Sequence, residues 1–145
     1  MKKNWIKRDP IKNYFPLPNE IYSLGLSSDA ISIYGYLLSR EDRKTYQCLV
    51  SYQMISKAIR KSVTTVRKYV AELEERLLIR TEHTNVVTKD GHKRNGRLLY
   101  HILPIQMAIE NFYERQFYES DLALERQRIQ QRIAATECEK CGAVC

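Results

Sequence analysis

The chain lacks the features that mark membrane-spanning, secreted or disulfide-stapled proteins. Among its 145 residues, no apolar run is long enough to cross a bilayer, and the basic first residues lack the apolar stretch of a signal peptide. Of only four cysteines, three lie in the last eight residues, which is a poor disulfide framework for a chain of this size. We therefore expect a cytoplasmic protein with no membrane partner.

Motifs of catalysis are also missing. The five glycines form no phosphate-cradling loop, and the sequence contains neither a nucleophile elbow nor the helix motif of metal hydrolases. We therefore expect no enzyme, no catalytic residues and no cofactor.

The C-terminal cysteines are the one feature that suggests metal chemistry. Cys138 and Cys141 have C-x2-C spacing, and Cys145 adds a third thiol. A structural zinc site needs four ligands, usually as two separated pairs, and the three histidines lie singly at 83, 92 and 101. We therefore favour a tail of residues 137–145 with exposed thiols; the alternative is a zinc site shared between two chains. Cys48 is predicted to be a small core residue.

Positive charge is concentrated in one part of the chain. Hydrophobic residues make up 43% of the sequence, enough for a core, and the net charge is +7. Residues 54–97 hold eleven Lys or Arg against five Asp or Glu, a net +6, whereas residues 98–145 have a net charge of −2. Such a basic surface attracts polyanions such as nucleic acid, although charge alone also fits a merely solubilising role.

The first half of the chain contains helical patterns and a short strand. Residues 1–13 look like a flexible basic arm. A short helix is predicted from Asn19 to Leu24, ending at Gly25, and Ser27 or Ser28 is predicted to cap the next helix. Residues 47–50 have the pattern of a brief strand. The apolar residues that recur at helical spacing in the second helix are Ala30, Ile33, Tyr34, Leu37 and Leu38.

Residues 51–77 have the pattern of a helix-turn-helix. Ser62 is a good N-cap for the second helix, predicted at about Ser62–Leu77. We expect Glu72, Glu74 and Glu75 to form a solvated face farther along it. The positions predicted to face the core are Ile55, Ala58, Ile59, Val66, Val70, Leu73 and Leu77. The outward positions are Thr64, Thr65, Arg67 and Lys68. In a DNA-binding protein this second helix enters the major groove; the bland alternative is a solvated helical hairpin.

A β-hairpin is predicted next, with strands at 78–88 and 97–103. Asp90-Gly91 and Asn95-Gly96 are strong turn signals, and they frame a cationic tip that includes Lys93 and Arg94, with Arg97 just behind it. A hairpin in this place is the wing of a winged helix, and we assign the wing to residues 86–98. Its tip can contact phosphate or the minor groove, although a charged tip is also common on solvated hairpins.

The remaining segment predicts a long helix over residues 104–136. Leu122, Ile129 and Ile133 are spaced by seven and four, but the polar composition beyond Tyr118 makes this part unstable alone. A homodimer through this helix is therefore possible, and fraying is the alternative. The predicted fold class is mainly α with a small β-hairpin wing (α+β): a winged helix-turn-helix domain at 14–103 followed by a long C-terminal helix.

The chain resembles the winged helix-turn-helix proteins of bacterial plasmids and other mobile elements over roughly residues 14–103. Its early block is also similar to the N-terminal domain of plasmid replication initiator protein A. The segments that carry the resemblance are Tyr14-Phe15-Pro16-Leu17-Pro18-Asn19-Glu20-Ile21, Leu26-Ser27, Ile33-Tyr34-Gly35-Tyr36-Leu37-Leu38, Ser51-Tyr52 with Ile55, Ser62 with Thr65-Val66, and Leu73-Glu74-Glu75 with Leu78-Ile79. Related sequences usually have Gly where Arg60 and Leu77 stand here, and such positions commonly need a left-handed backbone. Either the turns are reshaped in this chain, or the left-handed backbone is kept at a cost in stability.

The resemblance implies that double-stranded DNA is the partner. By this resemblance, the residues that contact bases and phosphates on the second helix are Ser62, Thr64, Thr65, Arg67 and Lys68. Those that touch the flanking phosphates are Ser51, Tyr52 and Lys57, and the wing contacts are Lys93, Arg94 and Arg97.

Three functions fit this pattern. The first is sequence-specific DNA binding by a transcriptional regulator of a mobile element, which we favour. The second is a replication or maintenance factor that binds an origin, ranked lower because a full initiator needs further domains. The third is a non-catalytic winged helix that binds another protein.

Overall fold

The computed structural model describes residues 14–142, apart from the side chains of Arg94 and Asn95. The predicted basic arm of residues 1–13 and the last residues of the predicted tail, with Cys145, lie outside this description. The contacts divide the chain into two units, residues 1–109 and 110–145. Each unit is described by itself below.

Helices and a small sheet alternate along the chain in the order of a winged helix. A 3₁₀ helix at Asn19–Ser23 precedes the following elements: α1 Ser28–Arg40, β1 Gln47–Val50, α2 Tyr52–Ile59, α3 Val63–Glu75, β2 Ile79–Val87, β3 Lys93–Ile102 and α4 Ile105–Lys140. The strands form an antiparallel sheet in the order β1-β3-β2, so that the hairpin of β2 and β3 is extended by β1. This is the predicted fold class: mainly helical, with a β-hairpin wing and a long C-terminal helix.

Ser27 is confirmed as the N-cap of α1, one of the two residues predicted for this position. The Ala30 amide donates to Ser27 Oγ at 3.3 Å, so Ser27 caps α1 and satisfies an amide that has no partner within the helix. The short helix before it is of 3₁₀ type, Pro18 is its N-cap, and Gly25 follows with a φ of 67°. Glycine adopts this left-handed conformation without strain, which is why the turn before α1 is tight.

The core of the first unit lies among the three helices and the inner face of the sheet. All five apolar positions predicted for α1 are buried, as is the predicted core residue Cys48. The largest side chains with essentially no exposed surface are Tyr34, Tyr100, Ile21, Ile33, Leu37, Ile55, Leu73, Leu78, Ile79 and Val66. Burial of such side chains is the main favourable contribution to folding.

Two residues predicted to lie in this core do not. Ala58 is exposed in a surface depression that it shares with Ser32, Gly35, Tyr36 and Ser39 of α1. Leu77 is 36% exposed because α3 ends at Glu75, so that Leu77 has left the helical stripe that includes Leu73. Leu78 is buried in its place.

The second strand of the wing is longer than predicted and the first is slightly shorter, and only one of the two turn signals makes a turn. The chain reverses at residues 88–92, where Thr88 and Gly91 are hydrogen-bonded to their turn partners and Gly91 has a φ of 78°. Asn95 instead pairs with Asn85 inside the sheet. Gly96 is needed there because a Cβ atom would lie 2.5 Å from Thr84 Oγ1, beside a register shift in β2.

The C-terminal helix ends later than predicted. We expected an end near Thr136, but α4 continues to Lys140, because the first glycine beyond that point is Gly142, with a φ of 60°. Residues 105–109 of α4 belong to the first unit, where Ala108 is buried. In the second unit, apolar side chains that are more than half exposed include Tyr113, Phe117, Tyr118, Leu124, Ile129 and Ile133.

Candidate nucleic-acid interface

The turn between α2 and α3 is built on a left-handed arginine. Arg60 has φ 56° and ψ 46°, and its backbone N–H donates to the Ser56 carbonyl. Lys61 N donates to the same carbonyl at 3.2 Å, while the Ser56 hydroxyl donates to the Lys61 carbonyl. Leu77, with a φ of 59°, is left-handed at the end of α3. Both predicted left-handed positions are thus confirmed, each with a side chain that makes the conformation costly.

Two hydroxyl residues fix the start of α3. The Thr65 amide donates to Ser62 Oγ at 3.2 Å, and the two hydroxyl oxygens lie 2.8 Å apart. Ser62 is therefore confirmed as the N-cap and remains exposed, whereas Thr65 is half-buried with its hydroxyl engaged. The helix begins with its backbone N–H groups at the surface, where they favour negative charge.

The buried and exposed faces of α3 are sharply divided. Val66, Val70 and Leu73 are buried, as predicted. Thr64 and Lys68 lie on the opposite face and are exposed, because their positions are about half a helical turn away from the buried stripe. The Lys68 ammonium also lies 5.3 Å from the centre of the Tyr69 ring.

Arg67 lies at the edge of the exposed face, against α2. Its guanidinium carbon is 5.5 Å from the centre of the Tyr52 ring, a distance typical of a cation–π contact. Tyr52 is half-buried, and burial raises the pKa of its hydroxyl, with a further increase from Glu74 and an opposing effect of Arg67. The first residue of α2 thus holds a cation of α3 in a defined place.

Ser51 and Lys57, two of the residues predicted to touch flanking phosphates, differ in their roles. Ser51 caps α2, since the Met54 amide donates to Ser51 Oγ at 3.2 Å, and the residue is half-buried. Lys57 is exposed in the last turn of the helix. Ser51 therefore has a structural role, while the Lys57 ammonium is accessible to a phosphate.

Of the three α3 glutamates predicted to form a solvated face, Glu75 is exposed, but the prediction was wrong for Glu72 and Glu74. Glu72 Oε2 accepts a hydrogen bond from the Ser27 hydroxyl at 3.1 Å, which ties α3 to the start of α1. Glu74 Oε1 accepts from the Thr81 amide at 3.1 Å and from the Thr81 hydroxyl. These carboxylates are half-buried because α1 and β2 approach them, a tertiary contact that helical spacing does not reveal.

The wing carries two exposed cations, Lys93 and Arg97. A register shift falls between the paired residues Asn95 and Leu98 of β3, so strand alternation does not carry from one cation to the other. Lys93 pairs with Val87 across the hairpin. The Arg94 side chain lies outside the described part of the structure, so its predicted contact stays a prediction.

The local charge is strongly positive near the start of α3. No acidic residue occurs in the sequence between Asp42 and Glu72, whereas five cations occur in α2, the turn and the first half of α3. Those cations are Lys57, Arg60, Lys61, Arg67 and Lys68. Lys61 forms an ion pair within the protein, as its Nζ lies 3.7 Å from Asp29 Oδ1. The surface suits a polyanion, because exposed cations release counterions when they neutralise phosphates.

Cysteine chemistry does not contribute to this surface. Burial raises the pKa of the Cys48 thiol to about 11, so that it is not an activated nucleophile. Cys138 is disulfide-bonded, so the prediction of exposed thiols was wrong for this residue. Cys141 is a free, exposed thiol. Within residues 14–142, no three His, Cys, Asp or Glu side chains converge as a metal site requires.

The order of these elements agrees with a comparison of the sequence with known families. Residues 24–79 match the family model described as a helix-turn-helix domain. The chain is similar to this family over that segment alone. The matched segment comprises α1, β1, α2 and α3 and ends at the start of β2, with the wing beyond it.

Solved structures with a similar arrangement have low sequence identity to this chain. A possible transcriptional regulator from Methanosarcina mazei Go1 is 18% identical, with a TM-score of 0.48 over 74% of this chain and 82% of that one. MepR of Staphylococcus aureus in complex with DNA is 16% identical, with a TM-score of 0.41 over 84% and 85% of the two chains. MepR is described as a transcription regulator of the multidrug efflux pump MepA. No curated protein matches the sequence. No helix within the described residues is long and apolar enough to cross a membrane.

Proposed function

We propose that this protein binds double-stranded DNA sequence-specifically, with α3 in the major groove. The observation that carries the proposal is the division of α3 into a buried face and an exposed one. Thr64 and Lys68 are exposed on the outer side, and Arg67 is held at its edge by the Tyr52 ring. A helix with such a face fits the major groove, which is wide enough to admit it.

The chemistry of this face supports base recognition. Arg67 offers the planar donor pair that binds guanine in the major groove, while Thr64 offers both a hydroxyl and a methyl group. We assign direct base contacts to these residues and to Lys68. Ser62 is assigned to a phosphate at the helix N-terminus, and Thr65 contributes mainly by holding Ser62, since their hydroxyls lie 2.8 Å apart.

The flanking cations support a longer footprint on the DNA. Lys93 and Arg97 are both exposed on the wing, and we assign them, with Arg94, to the backbone or the minor groove. Lys57 is assigned to a phosphate beside the major-groove site. Ser51 and Tyr52 act mainly by positioning α2 and Arg67.

The proposed biological role is that of a transcriptional regulator on a mobile element. Support for the mobile element comes from the sequence resemblance given above. Binding to a replication origin is the alternative, and the position of the bound sequence in the source genome separates the two. Regulators and origin-binding factors both place a recognition helix on DNA, so the interface itself does not distinguish the two classes.

A second copy of the chain is proposed as a partner through the helix of the second unit. Ile129 and Ile133 are 55% and 54% exposed, and together with the half-buried Leu122 they follow a spacing of seven and four. Apolar side chains at this spacing favour a helical seam. A dimer would bind two half-sites about one helical turn apart.

The test is selection of bound sequences from a random duplex pool at near-physiological salt. The expected result is one enriched motif, and a palindromic motif with half-sites about 10 base pairs apart indicates a dimer. Binding that enriches no sequence and weakens steeply with salt would contradict a sequence reader. No binding at all would favour a winged helix that contacts another protein.

A further inference from the structure

A cavity lies on the other side of α1 from the helix-turn-helix surface residues discussed above. Its volume is about 570 Å³, within the range of sites that hold small molecules. All of its lining residues belong to the first unit. They come from the Pro16–Pro18 segment, α1, the loop before β1, the end of β3 and the start of α4.

The wall of this cavity is apolar apart from one acid and the hydroxyls of two tyrosines. Leu17, Leu38 and Leu103 are among the apolar residues, and Tyr34 and Glu41 bring polar atoms to the same wall. The Glu41 charge helps burial to raise the pKa of Tyr34 to about 12, which indicates that the two groups are close. An apolar site with few polar groups is typical of small-ligand binding.

One oxygen of the Glu41 carboxylate lacks a donor within the described residues. This atom, Oε2, is buried. The positive charge of Arg43 lowers the pKa of Glu41 against the larger, opposite effect of burial. The Arg43 Nη2 donates to the Tyr14 carbonyl at 3.0 Å. A buried carboxylate oxygen without a partner is costly, and a donor that enters with a ligand relieves this cost.

We propose that the cavity binds a small apolar molecule that carries a positively charged amine, with the amine donating to Glu41. The apolar part of the ligand lies against Leu17, Leu38 and Leu103. A cation is favoured over a neutral donor because a charge-assisted hydrogen bond to a carboxylate is about twice as strong as a neutral one. An anion is disfavoured because it would lie beside the same carboxylate.

This inference does not rest on DNA binding, and it is tested without DNA. The probes are 2-naphthylmethylamine, the neutral 2-naphthalenemethanol and the anionic 2-naphthoate, which share one ring system. Binding to the full chain is measured by calorimetry at pH 7. We expect one amine per chain, an affinity for the alcohol that is about tenfold weaker, and no binding of the acid.

Two variants test the site itself. Glu41→Gln keeps the size of the side chain and should reduce the affinity for the amine about tenfold, to the level of the alcohol. Glu20→Gln, which removes an exposed carboxylate of the 3₁₀ helix, is the matched control and should bind as the parent does. Leu17→Trp fills the cavity from an extended segment and should abolish binding of both amine and alcohol.

The charge preference of the cavity can still be measured if one variant folds poorly. Far-UV circular dichroism identifies such a variant, and the comparison of the three probes on the parent chain still decides the charge preference. Equal affinities for the amine and the acid would overturn the proposal, as would unchanged amine binding in a folded Glu41→Gln or Leu17→Trp variant. Failure of all three probes to bind would also overturn it.

Discussion

The guanidinium carbon of Arg67 lies 5.5 Å from the centre of the Tyr52 ring, so that the first residue of α2 positions a cation on the edge of α3. The contact joins the two helices of the helix-turn-helix through functional side chains as well as through the core. A side chain that is held before binding loses less conformational freedom on binding. In the proposed complex with DNA, we therefore expect Tyr52 to contribute to recognition without touching a base.

Two substitutions of Tyr52 distinguish the contribution of its ring to DNA affinity from that of its hydroxyl. Tyr52→Phe keeps the ring under Arg67, and the affinity for the selected DNA site should stay close to that of the parent. Tyr52→Ala removes the ring and should weaken binding about two- to fivefold, the amount expected of a partly exposed cation–π contact. Titrations at one salt concentration measure both, with circular dichroism to confirm folding. Equal losses in the two variants would assign the effect to the hydroxyl instead.

Removal of the two cations of α3 should abolish discrimination between sequences. Arg67→Ala with Lys68→Ala is expected to lower the affinity for the selected site about 100-fold while leaving binding to random duplex much less affected. Arg126→Ala with Arg128→Ala removes the same charge from exposed positions of α4 and is the control. Undiminished discrimination in the α3 variant would show that another face reads the bases.

The wing should act on affinity more than on sequence preference. Lys93→Ala with Arg97→Ala removes two exposed cations from β3. If both contact phosphates, the slope of log affinity against log salt should become shallower by about two, and affinity should fall evenly across sequences. Lys140→Ala, an exposed cation in the last turn of α4, tests the effect of a distant charge. A slope equal to that of the parent would remove the wing from the interface.

Glycine at the left-handed turn should stabilise the fold. Arg60 has a φ of 56° and an exposed side chain, so Arg60→Gly relieves backbone strain and loses little burial. The free energy of unfolding in urea is expected to rise by about 1 kcal/mol, after allowance for the greater freedom of glycine in the unfolded chain. Lys57→Gly, exposed within α2, should instead destabilise by about 1 kcal/mol. Destabilisation by both variants would contradict the strain at Arg60.

Alkaline conditions should weaken the fold through its buried tyrosines and Cys48. Burial raises the pKa of Tyr34 from 10.0 to about 12, so the unfolded chain releases this proton first as pH rises. The corresponding stability is present below pH 10 and is lost as pH rises toward 12. Tyr34→Phe should make the fall in unfolding free energy across this interval shallower, whereas Tyr22→Phe, which removes an exposed hydroxyl, is the control. An equally steep fall in Tyr34→Phe would contradict this account.

Sequence patterns predicted the elements well where a local rule sets them. The apolar spacing of α1, the Ser62 cap and the buried stripe from Val66 to Leu73 follow from helical period and capping, and all are confirmed. The left-handed backbone at Arg60 and Leu77 was expected from the family resemblance and is confirmed as well. Boundaries were less certain: the wing turn is shorter than predicted, and α4 continues beyond Thr136.

The sequence by itself determined the winged-helix order of elements and the set of exposed residues on α3, because these depend on periodicity and on residues close together in the chain. Only the tertiary structure decided that Arg67 lies on Tyr52, that Glu72 and Glu74 hold α1 and β2, and that Glu41 lines a cavity. These relationships join residues from elements distant in the sequence. Their geometry follows from how the helices and the sheet pack, which no local pattern specifies.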